Sequence, residues 1–240
     1  MTFSRLRFLL PIAVLSLLSS SVFSQSECEI SGLFASPFGC SDPVSFGSEE
    51  YATVQIGDQC WFAENLRSAN YANGEAILNI QDNNDWVALE SGAWADYDND
   101  PSNGEVYGHL YNWYAVDDAR GLCPSGWHVP SDLELTTLEY AVGGVYVAGG
   151  NLKEAGTAHW NLPNTGADNS YGFTALGSGY RSNGVFANMH NAAYFWSSTP
   201  TVTYAPNPWY RKLYSGQAGS GRNSLNLAHG LSIRCVQDQD

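Results

Sequence analysis

The densest chemistry in this 240-residue sequence lies in one acidic run, Asp96-Tyr97-Asp98-Asn99-Asp100-Pro101-Ser102-Asn103-Gly104-Glu105. Alternating aspartates place several hard oxygen ligands on a short loop, which is what a calcium ion requires. Asp96, Asp98, Asp100 and Glu105 are the expected ligands. The loop is not an EF-hand, because Pro101 replaces the turn glycine and Tyr107 stands where the bidentate glutamate belongs. The competing reading is a polar turn whose Asp and Asn side chains cap their own backbone. Crowded carboxylates repel one another, so such a loop needs a cation, basic partners or full solvation to stay ordered. Arg181 and Arg120 are the basic residues expected to supply that partnership.

Eight tryptophans and fourteen tyrosines suggest a second chemistry, the stacking of rings on sugar faces. Trp209 and Tyr210 follow the loop Pro206-Asn207-Pro208, and Arg181 sits between Gly179-Tyr180 and Asn183-Gly184; these three are the expected ligand contacts. The plainer alternative is that the two rings start a strand and the arginine is an ion-pair partner. Trp61, Trp113, Trp127 and Trp196 stand in apolar segments and are expected in the core. The five histidines show no HExxH or other close metal spacing, and neither a G-x-S-x-G elbow nor a phosphate-binding loop occurs, so no catalytic residues are assigned.

The elements that must position these groups read as α+β. Tyr51–Ile56 alternates, Gly57-Asp58 is a hairpin turn, and Gln59–Phe62 returns. Residues 25–50 read as an irregular N-terminal extension, residues 79–105 as a long connection, and Val106–Tyr114 as a buried helix or strand. One helix is clear near 131–142: Ser131 and Glu134 form a capping-box pattern, Leu135, Leu138 and Val142 fall at helical spacing, and Gly143-Gly144 ends the run. Gly172–Leu176, Ala193–Ser198, Trp209–Tyr214 and Leu231–Val236 are expected as short strands.

The N-terminus sets Arg5 and Arg7 before an apolar run from Phe8 to Leu18 and small residues to Ser24, the order of a cleavable secretory signal over residues 1–24. The run is too short to serve as a transmembrane anchor, and Gln25-Ser26-Glu27 ahead of Cys28 is not a lipid-attachment context. The protein is therefore expected to be secreted. Its formal net charge of −14, with only ten lysines and arginines, argues against a nucleic-acid partner. Five cysteines (28, 40, 60, 123 and 235) in an oxidising compartment imply disulfides with at least one thiol unpaired or paired outside the chain, and Cys60, beside Trp61 and Phe62, reads as buried.

Several co-linear segments then point to one family. They are Val54-Gln55-Ile56-Gly57-Asp58-Gln59-Cys60-Trp61-Phe62-Ala63-Glu64-Asn65-Leu66, Tyr107-Gly108-His109-Leu110-Tyr111-Asn112-Trp113-Tyr114-Ala115, Cys123-Pro124-Ser125-Gly126-Trp127-His128-Val129-Pro130-Ser131, Phe195-Trp196-Ser197-Ser198-Thr199 and Arg234-Cys235-Val236. Together, over residues 51–238, they resemble the Fibrobacter succinogenes major paralogous domain. That family is similar in pattern to the C-type lectin-like fold and to the formylglycine-generating enzymes. The resemblance implies a C-type lectin-like, loop-rich domain of short antiparallel strands, with its two ends on one sheet. It also implies a Cys123–Cys235 disulfide clamping the last strand to the helix side; Cys28–Cys40 is the next expected pair, with Cys60 free.

Leu133 and Leu135 depart from the acidic and tryptophan residues commoner around Glu134 in that pattern, which touches helix packing. No cysteine stands between Trp196 and Ile233, where formylglycine-generating relatives carry theirs, and the sugar–calcium tripeptides of lectins are missing. The expected function is non-catalytic binding or adhesion, with an extracellular glycan or a surface protein as partner. The alternatives are a self-associating surface component and a divergent enzyme on the formylglycine-generating scaffold.

Overall fold

In the computed structural model the described residues are Cys40, 42–202 and 207–239, all within the unit Ser36–Asp240. The expected signal segment and Cys28 lie outside them. In chain order the elements are β1 (Val44–Phe46), β2 (Glu49–Tyr51), β3 (Thr53–Ile56), β4 (Gln59–Phe62), β5 (Leu78–Asn79), α1 (Asn83–Ala88), β6 (Ala93–Ala95), a single 3-10 turn (Tyr97–Asn99), α2 (Pro101–Tyr107), β7 (Leu110–Tyr111) and α3 (Trp113–Val116). There follow β8 (Trp127–His128), α4 (Asp132–Ala141), α5 (Ala148–Leu152), β9 (Ser178–Ser182), β10 (Val185–Met189), β11 (Ala192–Pro200), β12 (Pro208–Tyr214), β13 (Ser220–Ser224) and β14 (Val236–Gln237). The architecture is α+β and rich in sheet.

Four sheets form. β1 pairs with β2; β3-β4-β14-β8 is antiparallel throughout; β5-β6-β7 has one parallel and one antiparallel pair; and β10-β9-β11-β12-β13 is antiparallel except at β9–β11. Two strands divide the core. Successive side chains of a strand leave on opposite faces, so β4 sends Cys60 and Phe62 into one apolar cluster and Trp61 into another. β11 does the same, with Ala192, Tyr194 and Trp196 on the first side and Ala193 and Phe195 on the second. The first cluster holds Trp113 and Trp127; the second takes Leu135 and Leu138 of α4 and Leu152 of α5. The four tryptophans expected in the core are all buried there.

The strongest local signals form the structures they specify. Ile56 pairs with Gln59 across a two-residue turn, whose Gly57 has φ +59°, a conformation open to glycine at no steric cost. Ser131 caps α4: its hydroxyl accepts the Glu134 N–H at 3.2 Å, and Glu134 accepts the Ser131 N–H at 2.7 Å. Leu135, Leu138 and Val142 are buried, while Leu133 points outward at 73 % exposure.

Elsewhere the expectations change. Gly172–Leu176 is not a strand: Asn169 and Thr174 both take positive φ, and the Asn169 amide closes a turn on Thr174 N at 2.8 Å. Leu231–Val236 makes only isolated bridges before β14. The 79–105 connection contains α1, β6 and the start of α2, and the described part of the 25–50 extension contains β1 and the start of β2.

Cys123 is bonded to Cys235. Cys40 is bonded to Cys60, with their Cα atoms 5.6 Å apart. This corrects both the Cys28–Cys40 pairing and the free Cys60: β4 turns Cys60 to the same face as Phe62, the side on which Cys40 packs. Among the described residues no helix is long and apolar enough to cross a membrane.

Candidate functional site

Strand register builds the site. Trp94 pairs with Tyr111 and Ala95 with Leu110 in the antiparallel β6–β7 ladder. Continuing that register by one residue sets Asp96 opposite His109, on the same face as Trp94, because side chains two apart share a face. Asp96 Oδ1 lies 2.8 Å from His109 Nδ1, and the imidazole stacks on the Trp94 indole at 3.9 Å between ring centres. The two polar side chains are 8 % and 12 % exposed. α2 packs over them with a glycine at the contact: a Cβ on Gly104 would meet Asp96 Oδ1. A helix-interior glycine costs about 1 kcal/mol relative to alanine, and here it leaves room for the carboxylate–imidazole pair.

This pair forms part of one wall of an open cleft of about 540 Å³. The facing wall is Glu49 of β2 with Glu64 and Arg67, which follow β4. Arg67 donates to Glu49 at 2.5 Å, to Glu64 at 2.7 Å and to the Glu50 carbonyl at 3.0 Å, and lies over the Tyr51 ring. The hydrogen bond from Arg67 holds the Glu49 carboxyl below the usual carboxylate range, and burial pushes the Tyr51 hydroxyl up to about 12. Asn79, Gln81 and Glu105 complete the rim.

The four carboxylates expected to share a calcium ion do different things. Asp96 faces His109; Asp100 caps α2 by accepting from Ser102 N at 3.0 Å; Asp98 is exposed with φ 56°; Glu105 is exposed on α2. Among the described residues no group of three or more His, Cys, Asp or Glu side chains is arranged to hold a metal ion. Arg120 pairs with Asp118 and Glu75, away from the loop.

Of the three expected ligand contacts, two are buried and one keeps part of its ring at the surface. Arg181 is fully buried between Trp86 and Phe186, and donates to the carbonyls of Ile80 (2.6 Å) and Gln81 (2.9 Å) and to Asn83 Oδ1 (3.0 Å). Burial lowers its pKa to about 10. It cannot meet a ligand, but it fixes the segment that brings Gln81 to the cleft rim. Tyr210 is buried against Trp196 and Tyr194, because it lies on the inward face of β12. Trp209 is half-buried on the other face, with the Arg222 guanidinium 3.4 Å from its ring centre; Arg222 is in turn paired with Asp132.

Trp94, His109, Glu49, Glu64 and Arg67 were not singled out from sequence. The alternation of small and large residues in Ala93-Trp94-Ala95-Asp96 is the one local trace of the strand that carries two of the site's groups.

A family model for the Fibrobacter succinogenes major domain matches residues 54–237. The chain belongs to this family. The matched span contains every element from β4 to β14 and all the cleft residues except Glu49. No curated protein and no solved structure matches the chain.

Proposed function

We propose that the chain is a non-catalytic binding module working outside the cell, and that its cleft takes a glycan. The observation that carries this reading is the cleft itself: a half-buried indole, Trp94, set among carboxylates and the side-chain amides of Asn79 and Gln81. Sugars present apolar C–H faces and rings of hydroxyls, so a site for them needs an aromatic surface with polar acceptors around it. Work outside the cell is supported by two disulfides, by the signal-like N-terminal sequence and by few basic residues for an intracellular polyanion. A C-type lectin-like arrangement is supported by β14 returning beside β4 and by the Cys123–Cys235 clamp. The test is a glycan array followed by calorimetry on wild type and Trp94→Ala. Binding lost with the indole supports the reading; binding that ignores the substitution, or no binding, overturns it.

A self-assembling surface component is the second reading, favoured by one observation. Leu133 and Tyr140, seven residues apart on one face of α4, are 73 % and 76 % exposed, and Tyr146 beyond the helix is 88 % exposed. Sedimentation of wild type against Leu133→Ser/Tyr140→Ser tests it, and a monomer at all concentrations removes it.

A further inference from the structure

Backbone register brings a second pair of side chains together. Arg181 and Gly230 form an antiparallel bridge, N–H to carbonyl at 2.9 and 2.8 Å in the two directions. The next pair along that register is Ser182 opposite His229, a position without backbone hydrogen bonds, where facing side chains come closest. Ser182 Oγ lies 2.9 Å from His229 Nε2. The other ring nitrogen, Nδ1, is 3.1 Å from the Asn226 carbonyl. A carbonyl only accepts, so Nδ1 carries the proton of the neutral ring and Nε2 presents its lone pair to the Ser182 hydroxyl. Burial, against that carbonyl bond, pulls the imidazole below its ordinary 6.5, so the ring is neutral at pH 7. The frame is fixed on both sides. Trp86 Nε1 donates to the Ala228 carbonyl at 2.7 Å, Asn226 Oδ1 accepts from Ala228 N at 2.8 Å, and the Arg181 guanidinium holds the Ile80 and Gln81 carbonyls. Ser182 and His229 are each half-buried, so solvent reaches them, and neither lines the cleft.

A hydroxyl bonded to an imidazole whose far nitrogen is held by a third group is the arrangement of an activated nucleophile. We infer that Ser182 is a covalent acceptor site, acylated from an activated ester or thioester and retaining the acyl group. This goes beyond the binding reading and does not rest on it. In the step, Oγ bonds to the carbonyl carbon of the donor while its proton passes to His229 Nε2. The tetrahedral adduct then breaks its bond to the leaving group, which takes the proton from Nε2 and departs as a phenol or thiol. Retention follows from the backbone around the pair. The N–H groups of Arg181, Ala228, His229 and Gly230 are taken by the Gly230 carbonyl, Asn226 Oδ1, the Asn226 carbonyl and the Arg181 carbonyl. None of the four is left to stabilise an oxyanion, and each such donor is worth roughly 10²–10³ in rate. A donor with a good leaving group reacts without that help; the plain serine ester it leaves behind lasts.

The experiment is acetylation of the full chain by p-nitrophenyl acetate, following nitrophenolate release and locating the acetyl group by peptide mass mapping. A fast phase of one equivalent per chain, with its acetyl group on Ser182, is expected. Ser182→Ala should remove that phase, and His229→Gln should slow it about a hundredfold, the worth of a general base. Ser224→Ala, at a serine that is half-buried like Ser182 but outside the pair, should change nothing. Unfolding the wild type in urea, a test that needs no variant to fold, should bring Ser182 labelling down to that of the other serines. Ser182 labelling no faster than that of Ser224, or unchanged in His229→Gln, overturns the inference and leaves a structural hydrogen bond. Continued nitrophenolate release that vanishes in Ser182→Ala is turnover, and overturns retention.

Discussion

A methyl group on Gly104 would lie 1.8 Å from Asp96 Oδ1. In an exposed helix, Gly→Ala gains about 1 kcal/mol. Here the carboxylate cannot retreat without surrendering His109, so the clash outweighs the propensity. Gly104→Ala is expected to lower the melting temperature and abolish ligand binding together. A variant that melts higher and still binds would show that α2 does not press on the pair.

The two disulfides should differ in worth. The Cys40–Cys60 bridge spans 20 residues and Cys123–Cys235 spans 112. On the chain-entropy account their removal costs about 3 and about 5 kcal/mol respectively. Denaturant unfolding of the Cys40→Ala/Cys60→Ala and Cys123→Ala/Cys235→Ala proteins measures this, with the second pair expected to lose more.

His128 bridges two elements and gives stability a pH signature. Its Nε2 lies 2.9 Å from Glu134 and its Nδ1 2.6 Å from Asp238. The Glu134 bond, against burial and with Asp238 helping, raises the imidazole above its ordinary 6.5. A raised histidine stabilises fully below pH 6.5, and its contribution fades as pH rises through the raised value. Burial alone would raise Glu134, but hydrogen bonds from His128 and Ser131 hold it at about 2, so its contribution is present above pH 4.5 and is lost as pH falls through about 2. The melting difference between wild type and His128→Gln is therefore expected to be widest near pH 5–6 and to shrink toward pH 9. A difference that is flat with pH would contradict the bridge.

Arg234 is the covalent neighbour of Cys235 and is fully buried. It donates to the carbonyls of Phe62, Phe173 and Thr174 and to Asn65 Oδ1. Desolvation pulls its pKa down to about 9. Arg234→Met keeps much of the volume but orphans four acceptors, and a loss of about 3–5 kcal/mol is expected. Urea unfolding that shifts by less than 1 kcal/mol would mean that water replaces the guanidinium.

Calcium and a chelator should leave the melting temperature of the full chain unchanged. Asp100 is used on the α2 terminus and Asp96 on His109, so the acidic run does not converge on one point. A midpoint that rises with calcium by mass action would show the loop rearranging to bind it.

What the sequence made legible is what local chemistry decides. The Gly57-Asp58 hairpin and the Ser131/Glu134 cap each lie within a few residues, and both form as read. The cleft was hidden because the β6–β7 ladder has two paired positions and closes across a 3-10 turn and a helix, too short to leave a period. Arg181 reads as a surface contact or an ion-pair partner because the carbonyls that hold it stand about a hundred residues away and have no side-chain signature. For Trp209 and Tyr210, nearness to a loop does not separate the two rings: strand alternation sends Tyr210 inward and leaves Trp209 at the surface under Arg222. The first aspartate of the acidic run faces His109, which stands thirteen residues on and beyond a helix, so no local spacing announces the contact.

The placement of the two disulfides divides the chain by what tension can reach. If the molecule is pulled by its flanks, Cys40–Cys60 carries the load past β1 to β3, and Cys123–Cys235 carries it past everything from β8 to β13. Between the two bridges, residues 61–122 are the stretch free to lengthen, by roughly 200 Å at full extension. That stretch holds β6, α2, β7 and with them Trp94, Asp96 and His109, so force would dismantle the cleft while the five-stranded sheet stayed bypassed by a covalent shortcut. On a tether, such a module would release what it holds at a pull that leaves most of its sheet intact, and single-molecule extension would record one step of that length, growing when the bridges are reduced.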